Sequence, residues 1–547
     1  MNSLGRNIGE KRSLMLFVIA AMAFEGLLVG QGFSMYDETY FMSAYQWIFR
    51  DPSVCQYQFL YYNGVLLGGV WEMLFGQYGY IAFRIGGALV NILTCLTIYW
   101  VLRPHARRGL CLLAMTMYLI SFSSGVMVIY PSFLTALLTT LAVGCMDRAM
   151  MRDSGKWALM AGVIIGVNIF TRLPNVALCG LLLAFIPYYY KGGRGRLLPL
   201  WALGGLAAGI VAEMLLMMAL GHLGLFADNL TVGMAIADSS DNTHGIAQLM
   251  SEYLTQYLMI VKRVLLLLVL PVAWFREPVI ITLYTLFTVV LLVALYKERN
   301  NAQRVCIISL ALLQAYLQPL GSDFGIANMG DCSDLIALPL AIVILYEGQR
   351  SKVKGRRSKV KGRRSKVALY LLLSLVSYCL VMIHTIASRC DFDEGPRWEK
   401  TYRIDNPLAT TYTSKEHAEI INTLLAALKP YVQKGDYLMA YYSLPGINYL
   451  TETRPWVPSA WLLSYDAASL EREIEKAEKT KPLPVVVIEK GSPTCYYRPH
   501  KDWDNDKAEN PVTFHVNKKI TLRHDFLKRH RYEVVWENDL FQIQKPQ

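Results

Sequence analysis

Charge is scarce in this chain. Asp, Glu, Lys and Arg make up 18% of its 547 residues, against 54% hydrophobic residues, and the mean hydropathy is +0.30. That balance excludes a disordered chain and an ordinary soluble enzyme of this size. Acid is absent between Arg350 and Lys366, where ten basic residues stand, so most of the net charge of +12 is local and the rest of the chain is close to neutral. A short basic loop between apolar segments fits cytoplasmic retention and anionic headgroups, and it argues against a nucleic-acid-binding face. The loop holds SKVKGRR twice, at 351–357 and 358–364. The ten cysteines show no metal or redox spacing. Cys95, Cys111, Cys145, Cys179 and Cys379 sit in apolar runs as small hydrophobes, while Cys55, Cys332, Cys390 and Cys495 fall in segments expected outside and leave one or two disulfides open.

Long apolar runs are present in quantity. Arg6, Lys11 and Arg12 precede the run Ser13–Gly30, which lacks a small-residue cleavage pattern and is long enough to cross hydrocarbon. It is expected to be a retained first span with its N-terminus inside. Further runs lie near 80–101, 109–128, 132–146, 157–170, 174–190, 197–220, 256–275, 279–296, 305–320, 334–348 and 367–388. Basic connections at 103–108, 148–156, 191–196, 297–304 and 350–366 are placed in the cytoplasm. Keeping them there requires a hidden span, and 246–261 and 264–275 are read as separate helices joined at Lys262–Arg263. The count is then about thirteen spans, with twelve as the competing reading.

Residues 389–547 mix acids, histidines, aromatics and prolines. A helix is expected over Ser414–Lys429 and strands in DYLMAYYS, LPVVVIEK and YEVVW, which together suggest a small α/β domain outside the membrane. The chain therefore divides into a membrane domain, 1–388, with its first outer loop at 31–79, and a non-cytoplasmic domain, 389–547.

In GFSMYDETYF, just after the first span, Asp37 and Glu38 stand adjacent. A carboxylate at that surface can take a proton from an acceptor hydroxyl or hold a divalent metal that a phosphate also contacts. It can also be no more than an acidic loop start. Adjacent side chains diverge, so one of the two is expected to be central. Trp47, Tyr57, Tyr61, Tyr62, Gly64 and Trp71 suit an interfacial or re-entrant helix pair. Tyr61 and Tyr62 are candidates for sugar or lipid contact, with membrane anchoring the equal alternative. Arg84 and Arg172 sit near outer ends of apolar runs, where a guanidinium is costly unless paired; a phosphate or a carboxylate such as Glu25 or Glu213 would serve. Asp323, in GSDFGIANMGDCSD, is a candidate headgroup contact in a turn that also serves to end helices. His244, in the outer segment 221–250, is a weak candidate metal ligand beside loop solvation.

In order along the chain, YDETYF, FLYYNGVLLGGVWEMLFG, YIAFRIGGALVNIL, GVIIGVNIFTRLPNVAL and GDYLMAYYSLPGINYLTETRP resemble the GT-C superfamily of membrane glycosyltransferases, near the bacterial aminoarabinose transferases and protein O-mannosyltransferases. The resemblance implies a GT-C-like polytopic α-helical fold in a bacterial inner (plasma) membrane, with the C-terminal domain periplasmic or extracellular. It implies transfer of a sugar from a polyprenyl-phosphate donor to a hydroxyl of a lipid, glycan or protein acceptor, with inversion. Asp37, with Glu38 beside it, takes the family's essential acid after the first span; Arg84 and Arg172 take its basic positions. A divalent metal at Asp37 stays open. Two positions depart from the pattern: Tyr61–Tyr62–Asn63 stands where a lysine before prolines is common, and Ser132 where an acid often follows the proline. The alternative function is a transporter or flippase for lipid-linked or sugar cargo, for which Glu25 and Glu213 would be the working carboxylates.

Overall fold

The computed structural model describes the chain except for residues 1–2, 124, 239–245, 267–275, 321, 323–324, 351–360, 392, 442–443, 493–494, 500–502 and 506–513. Helix α1 (Ser3–Leu28) leads into α2 (Asp37–Trp47), a 3-10 helix (Pro52–Tyr61) and α3 (Tyr62–Phe75). The bundle continues with α4 (Tyr80–Leu102), α5 (Arg108–Phe122), α6 (Pro131–Arg152) and α7 (Gly155–Thr171), then a 3-10 stretch (Leu173–Ala184) running into α8 (Phe185–Tyr190). After these come α9 (Leu198–Ala219), α10 (Leu223–Asp238), α11 (Ile246–Leu266), α12 (Arg276–Lys297), α13 (Ala302–Leu317), α14 (Gly325–Ser333), α15 (Ala337–Arg350) and α16 (Lys361–Ser388).

The chain is a polytopic α-helical membrane protein, but the count of about thirteen spans is not reached. Among the described residues five helices are long and apolar enough to cross a membrane: Tyr80–Leu102, Pro131–Arg152, Leu173–Tyr190, Leu198–Ala219 and Pro278–Lys297. Arg108–Phe122, Gly155–Thr171 and Ala302–Leu317 are apolar but 15, 17 and 16 residues long, short of the roughly 20 residues that hydrocarbon requires. Helix α1 ends at Leu28, so its apolar stretch from Ser13 is 16 residues long and holds Glu25. The proposed break at Lys262–Arg263 is absent, since α11 runs through both residues unbroken.

Small residues set the helix packing. A Cβ on Gly162 would lie 2.0 Å from the Ala202 carbonyl oxygen, and one on Gly205 would lie 2.1 Å from that of Leu159. Gly162/Gly166 on α7 and Gly205/Gly209 on α9 thus bring two backbones into contact, as small residues four apart do in lipid. The opposite side of α9 exposes Leu200, Leu203 and Val211, as a lipid-facing surface would.

Beyond α16 lies a mixed α/β domain. Strands β1 (Tyr437–Tyr441), β2 (Arg454–Pro455), β3 (Val485–Glu489), β4 (Tyr532–Glu537) and β5 (Phe541–Pro546) form one sheet in the order β4-β5-β3-β1-β2. The β1–β2 and β1–β3 pairs are parallel, while β5 pairs antiparallel with β3 and β4. Helices α17 (Lys415–Leu428), α18 (Pro445–Thr451), α19 (Ala467–Thr480) and α20 (Phe514–Arg529) complete it. Ser414 and Asp466 cap α17 and α19 by accepting the amides of His417 and Ser469, which fixes two helix starts.

This domain and the first outer loop share one hydrophobic core, which joins Phe33, Tyr36, Tyr45, Val54 and Tyr62 to Ile447, Trp456, Val487 and Phe526. The Gly446 amide donates to the Met35 carbonyl at 3.0 Å, Gln46 reaches the Tyr449 carbonyl at 3.2 Å, and the Tyr57 hydroxyl donates to the Ser464 carbonyl at 2.9 Å. Helix α2 is therefore held between the bundle and the outer domain.

Candidate functional site

The approach to α2 is built by close contact. Gly32 has φ +87, and a Cβ there would fall 2.1 Å from Cys390 Cβ; glycine meets both demands. The next amide, Phe33 N–H, donates to Asp393 Oδ2 at 2.9 Å. Asp393 is buried and also accepts from Lys400 at 2.7 Å and Thr413 at 2.6 Å, with His417 Nδ1 at 3.3 Å. Burial alone would raise the Asp393 carboxyl, but His417 and Lys400 outweigh it and hold it at about 2. With a folded value below the ordinary one, the stabilisation is complete above about pH 4 and is lost as pH falls through about 2; its size is about 2 kcal/mol. Unfolding in detergent followed from pH 5 to pH 2 should show this loss in the wild type, and Asp393→Asn should lack that component.

Asp37 opens α2, and the two faces of that helix separate the adjacent acids. Glu38 is fully buried. Its Oε2 accepts from Arg84 Nη2 at 2.8 Å and Nε at 3.2 Å and from the Tyr80 hydroxyl, and its Oε1 accepts the Met127 amide at 2.6 Å. Arg84, 1% exposed, also donates to the Gln31 carbonyl. This is a closed ion pair with both carboxylate oxygens occupied. Arg84 finds its counter-charge in Glu38 rather than in Glu25 or Glu213. Ser123 donates to Glu25 at 3.0 Å and Asn63 to Glu213 at 3.2 Å.

Asp37 is half-buried and shares its helix face with Phe41, one turn on. The Phe41 ring meets Tyr130 edge-on at 4.9 Å and Tyr61 at 5.5 Å. The Tyr130 segment is held onto α2 by Met127 N–H on Glu38 and by the Tyr45 hydroxyl donating to the Ile129 carbonyl at 2.5 Å. Burial raises the Tyr130 phenol far above its usual value. The neighbouring Asp37, Tyr61 and Asp391 add to this, and the Arg172 guanidinium opposes it. These four side chains are thus within electrostatic range of one hydroxyl. Arg172 follows the last turn of α7 in extended backbone, φ −163, and is 5% exposed. Its hydrogen-bond acceptor among the described residues is the Met329 thioether, 2.9 Å from Nη1, a weak partner for a guanidinium.

The structure thus brings Asp37, Tyr61, Tyr130 and Arg172 to one place and sets Glu38 and Arg84 beneath them. Tyr62 is buried with its hydroxyl 3.0 Å from His222 Nδ1. Asp323 and His244 lie outside the described residues. Among the described residues no three His, Cys, Asp or Glu side chains group as metal ligands, and Glu38 has no oxygen to spare. Among the described residues Cys55 and Cys390 are free thiols. Asp391 was not among the sequence candidates; its signal is the acidic text RCDFDEGP directly after the last apolar run.

The site therefore lies at the junction of a membrane helix bundle and a mixed α/β domain, with the half-buried Asp37 and the buried Arg172 both in the surroundings of the Tyr130 hydroxyl. No family model matches the chain, and no curated protein matches it. Among solved structures it is similar to ArnT from Cupriavidus metallidurans bound to undecaprenyl phosphate, at 13% identity over 97% of each chain, TM-score 0.47. It is also similar to the Archaeoglobus fulgidus oligosaccharyltransferase tethered with an acceptor peptide containing the NVT sequon, at 13% identity over 86% of this chain and 69% of that one, TM-score 0.44.

Proposed function

We propose that the protein is a membrane glycosyltransferase of the GT-C type, which moves a sugar from a polyprenyl-phosphate donor to an acceptor hydroxyl at the non-cytoplasmic surface of a bacterial inner membrane. The observation that carries this reading is the buried Arg172 guanidinium, which shares the surroundings of the Tyr130 hydroxyl with Asp37 and whose hydrogen-bond acceptor among the described residues is a thioether. The ordered sequence resemblance adds to it. In this reading the acceptor oxygen attacks the anomeric carbon with inversion. Its proton passes to Asp37 as the bond to the phosphate oxygen breaks. Polyprenyl phosphate leaves with its growing charge offset by Arg172, a preorganised donor in a water-poor site. Arg84 acts indirectly, by fixing Glu38 and so the first turn of α2. In this reading Tyr61 lines the sugar, which the contact of its ring with Phe41 supports. The acceptor is a lipid, glycan or protein, and the outer domain walls its side of the site.

The test is product analysis in liposomes supplied with a polyprenyl-phosphate-linked sugar and candidate acceptors. Release of polyprenyl phosphate with a glycoside of inverted configuration is expected. Movement of intact donor across the bilayer, dependent on Glu25 or Glu213 and without bond cleavage, would replace the transferase with a transporter.

A further inference from the structure

We propose that Asp391 is the second carboxyl group of this site and meets the donor's phosphate as a hydrogen-bond donor. The proposal rests on the glycosyltransferase reading and adds to it a residue that follows the last helix of the bundle.

The placement is geometric. Arg389–Cys390 pairs antiparallel with Asp393–Glu394, with Cys390 opposite Asp393, so Asp391 stands at the tip of a tight reversal. Its φ of +52 lies in the left-handed region, which aspartate tolerates better than most side chains. Both arms of the reversal are fastened to the segment entering α2: Cys390 packs against Gly32, and Asp393 accepts the Phe33 amide. The tip is thereby brought beside Asp37. Asp391 Oδ2 is shielded from solvent and has no hydrogen-bond partner among the described residues. Arg172 supplies an independent sign of a ligand, since it is 5% exposed and its hydrogen-bond acceptor among the described residues is the Met329 thioether. Asp37, Asp391 and Arg172 all act on the Tyr130 hydroxyl. A phosphate would give Arg172 a stronger acceptor than the Met329 thioether and would give Asp391 Oδ2 a partner.

The charged groups around Asp391 are Asp37, Glu38 and Arg84, with Tyr130 beside them. Arg84 neutralises Glu38, which leaves Asp37 and Asp391 to compete for one proton, because two close carboxylates in a poorly hydrated place do not both ionise. Burial raises the Asp391 carboxyl most, Asp37 and Glu38 raise it further, and Ser34 and Arg84 oppose them only in part. Asp391 is then the neutral member, and Asp37 is the ionised base. No bond of Asp391 breaks in the step; the acceptor's proton ends on Asp37.

The experiment compares the full-length wild type with Asp391→Asn and Asp391→Ala in liposomes. Wild-type turnover should fall as pH rises through the Asp391 titration. Asp391→Asn keeps an N–H donor and cannot ionise, so it should retain roughly a tenth or more of the activity and lose that alkaline fall; Asp391→Ala should lose about 100-fold, the cost of one oxyanion donor. Infrared difference spectra on adding polyprenyl phosphate give a readout independent of turnover. A protonated-carboxyl band should shift in the wild type and be missing in Asp391→Asn. An unchanged alkaline fall in Asp391→Asn, full activity in Asp391→Ala, or no carboxyl band that responds to polyprenyl phosphate overturns the assignment. A responding band in a protein that turns over no donor leaves the phosphate contact standing and removes the glycosyltransferase reading instead.

Discussion

Asp37→Asn is expected to lower kcat for sugar transfer by about 1,000-fold, within the span that a positioned general base contributes, with little change in KM for the lipid donor. The substitution preserves volume and removes only the basic oxygen. Asp37 is the first residue of α2, so the helix N-terminus favours its charged form. Because the carboxylate is half-buried while its neighbour Glu38 is sealed in an ion pair, it is the one acid of the adjacent pair within reach of an acceptor. Steady-state measurement of polyprenyl phosphate release would check this. A kcat within threefold of the wild type would remove Asp37 from the proton transfer, whatever the rest of the site does.

Glu38→Ala is expected to act on the fold rather than on the chemistry, with a loss of roughly 3–5 kcal/mol, typical of breaking one side of a buried ion pair. Arg84, at 1% exposure, would be left as an uncompensated charge, and the Tyr80 hydroxyl and the Met127 amide would lose their acceptor. Thermal unfolding in detergent should register the change as a large fall in midpoint. Glu38→Gln should lose less because it still offers an acceptor. The double substitution Glu38→Leu/Arg84→Met should recover much of the stability, because it removes both charges together. If Glu38→Ala unfolds like the wild type, Arg84 has another counter-charge and the pair does not brace α2.

The membrane character of the chain and the mixed sheet beyond it were legible because both are written in periodicity. LPVVVIEK is an apolar run of strand length and forms β3, while Ser414 announces α17 with a side-chain cap. The number of spans was not legible, since an apolar run does not show whether its helix ends early. Residues 109–128 give a helix only from Arg108 to Phe122, and α11 passes through Lys262–Arg263 where the charges suggested a turn. Within the site, Asp37 and Arg172 stood out as charges beside apolar text. What the sequence could not say is that Glu38, one residue from Asp37, would consume Arg84; that follows from the turn of α2, which sends adjacent side chains apart. Asp391 was invisible for a different reason. It lies 354 positions from Asp37 in sequence, and the Gly32–Cys390 contact and the Phe33–Asp393 hydrogen bond help bring the two segments together.

The central claim is that Asp37 and Arg172 share a lipid-phosphate site open to the non-cytoplasmic side, and Asp37→Cys tests it most directly. A membrane-impermeant thiol reagent applied from the outer face should label residue 37 in sealed, oriented vesicles. Polyprenyl phosphate should block that labelling in the Asp37→Cys protein and no longer do so when Arg172→Ala is added. Labelling from the cytoplasmic face alone, or labelling that polyprenyl phosphate leaves unaltered, would contradict the account.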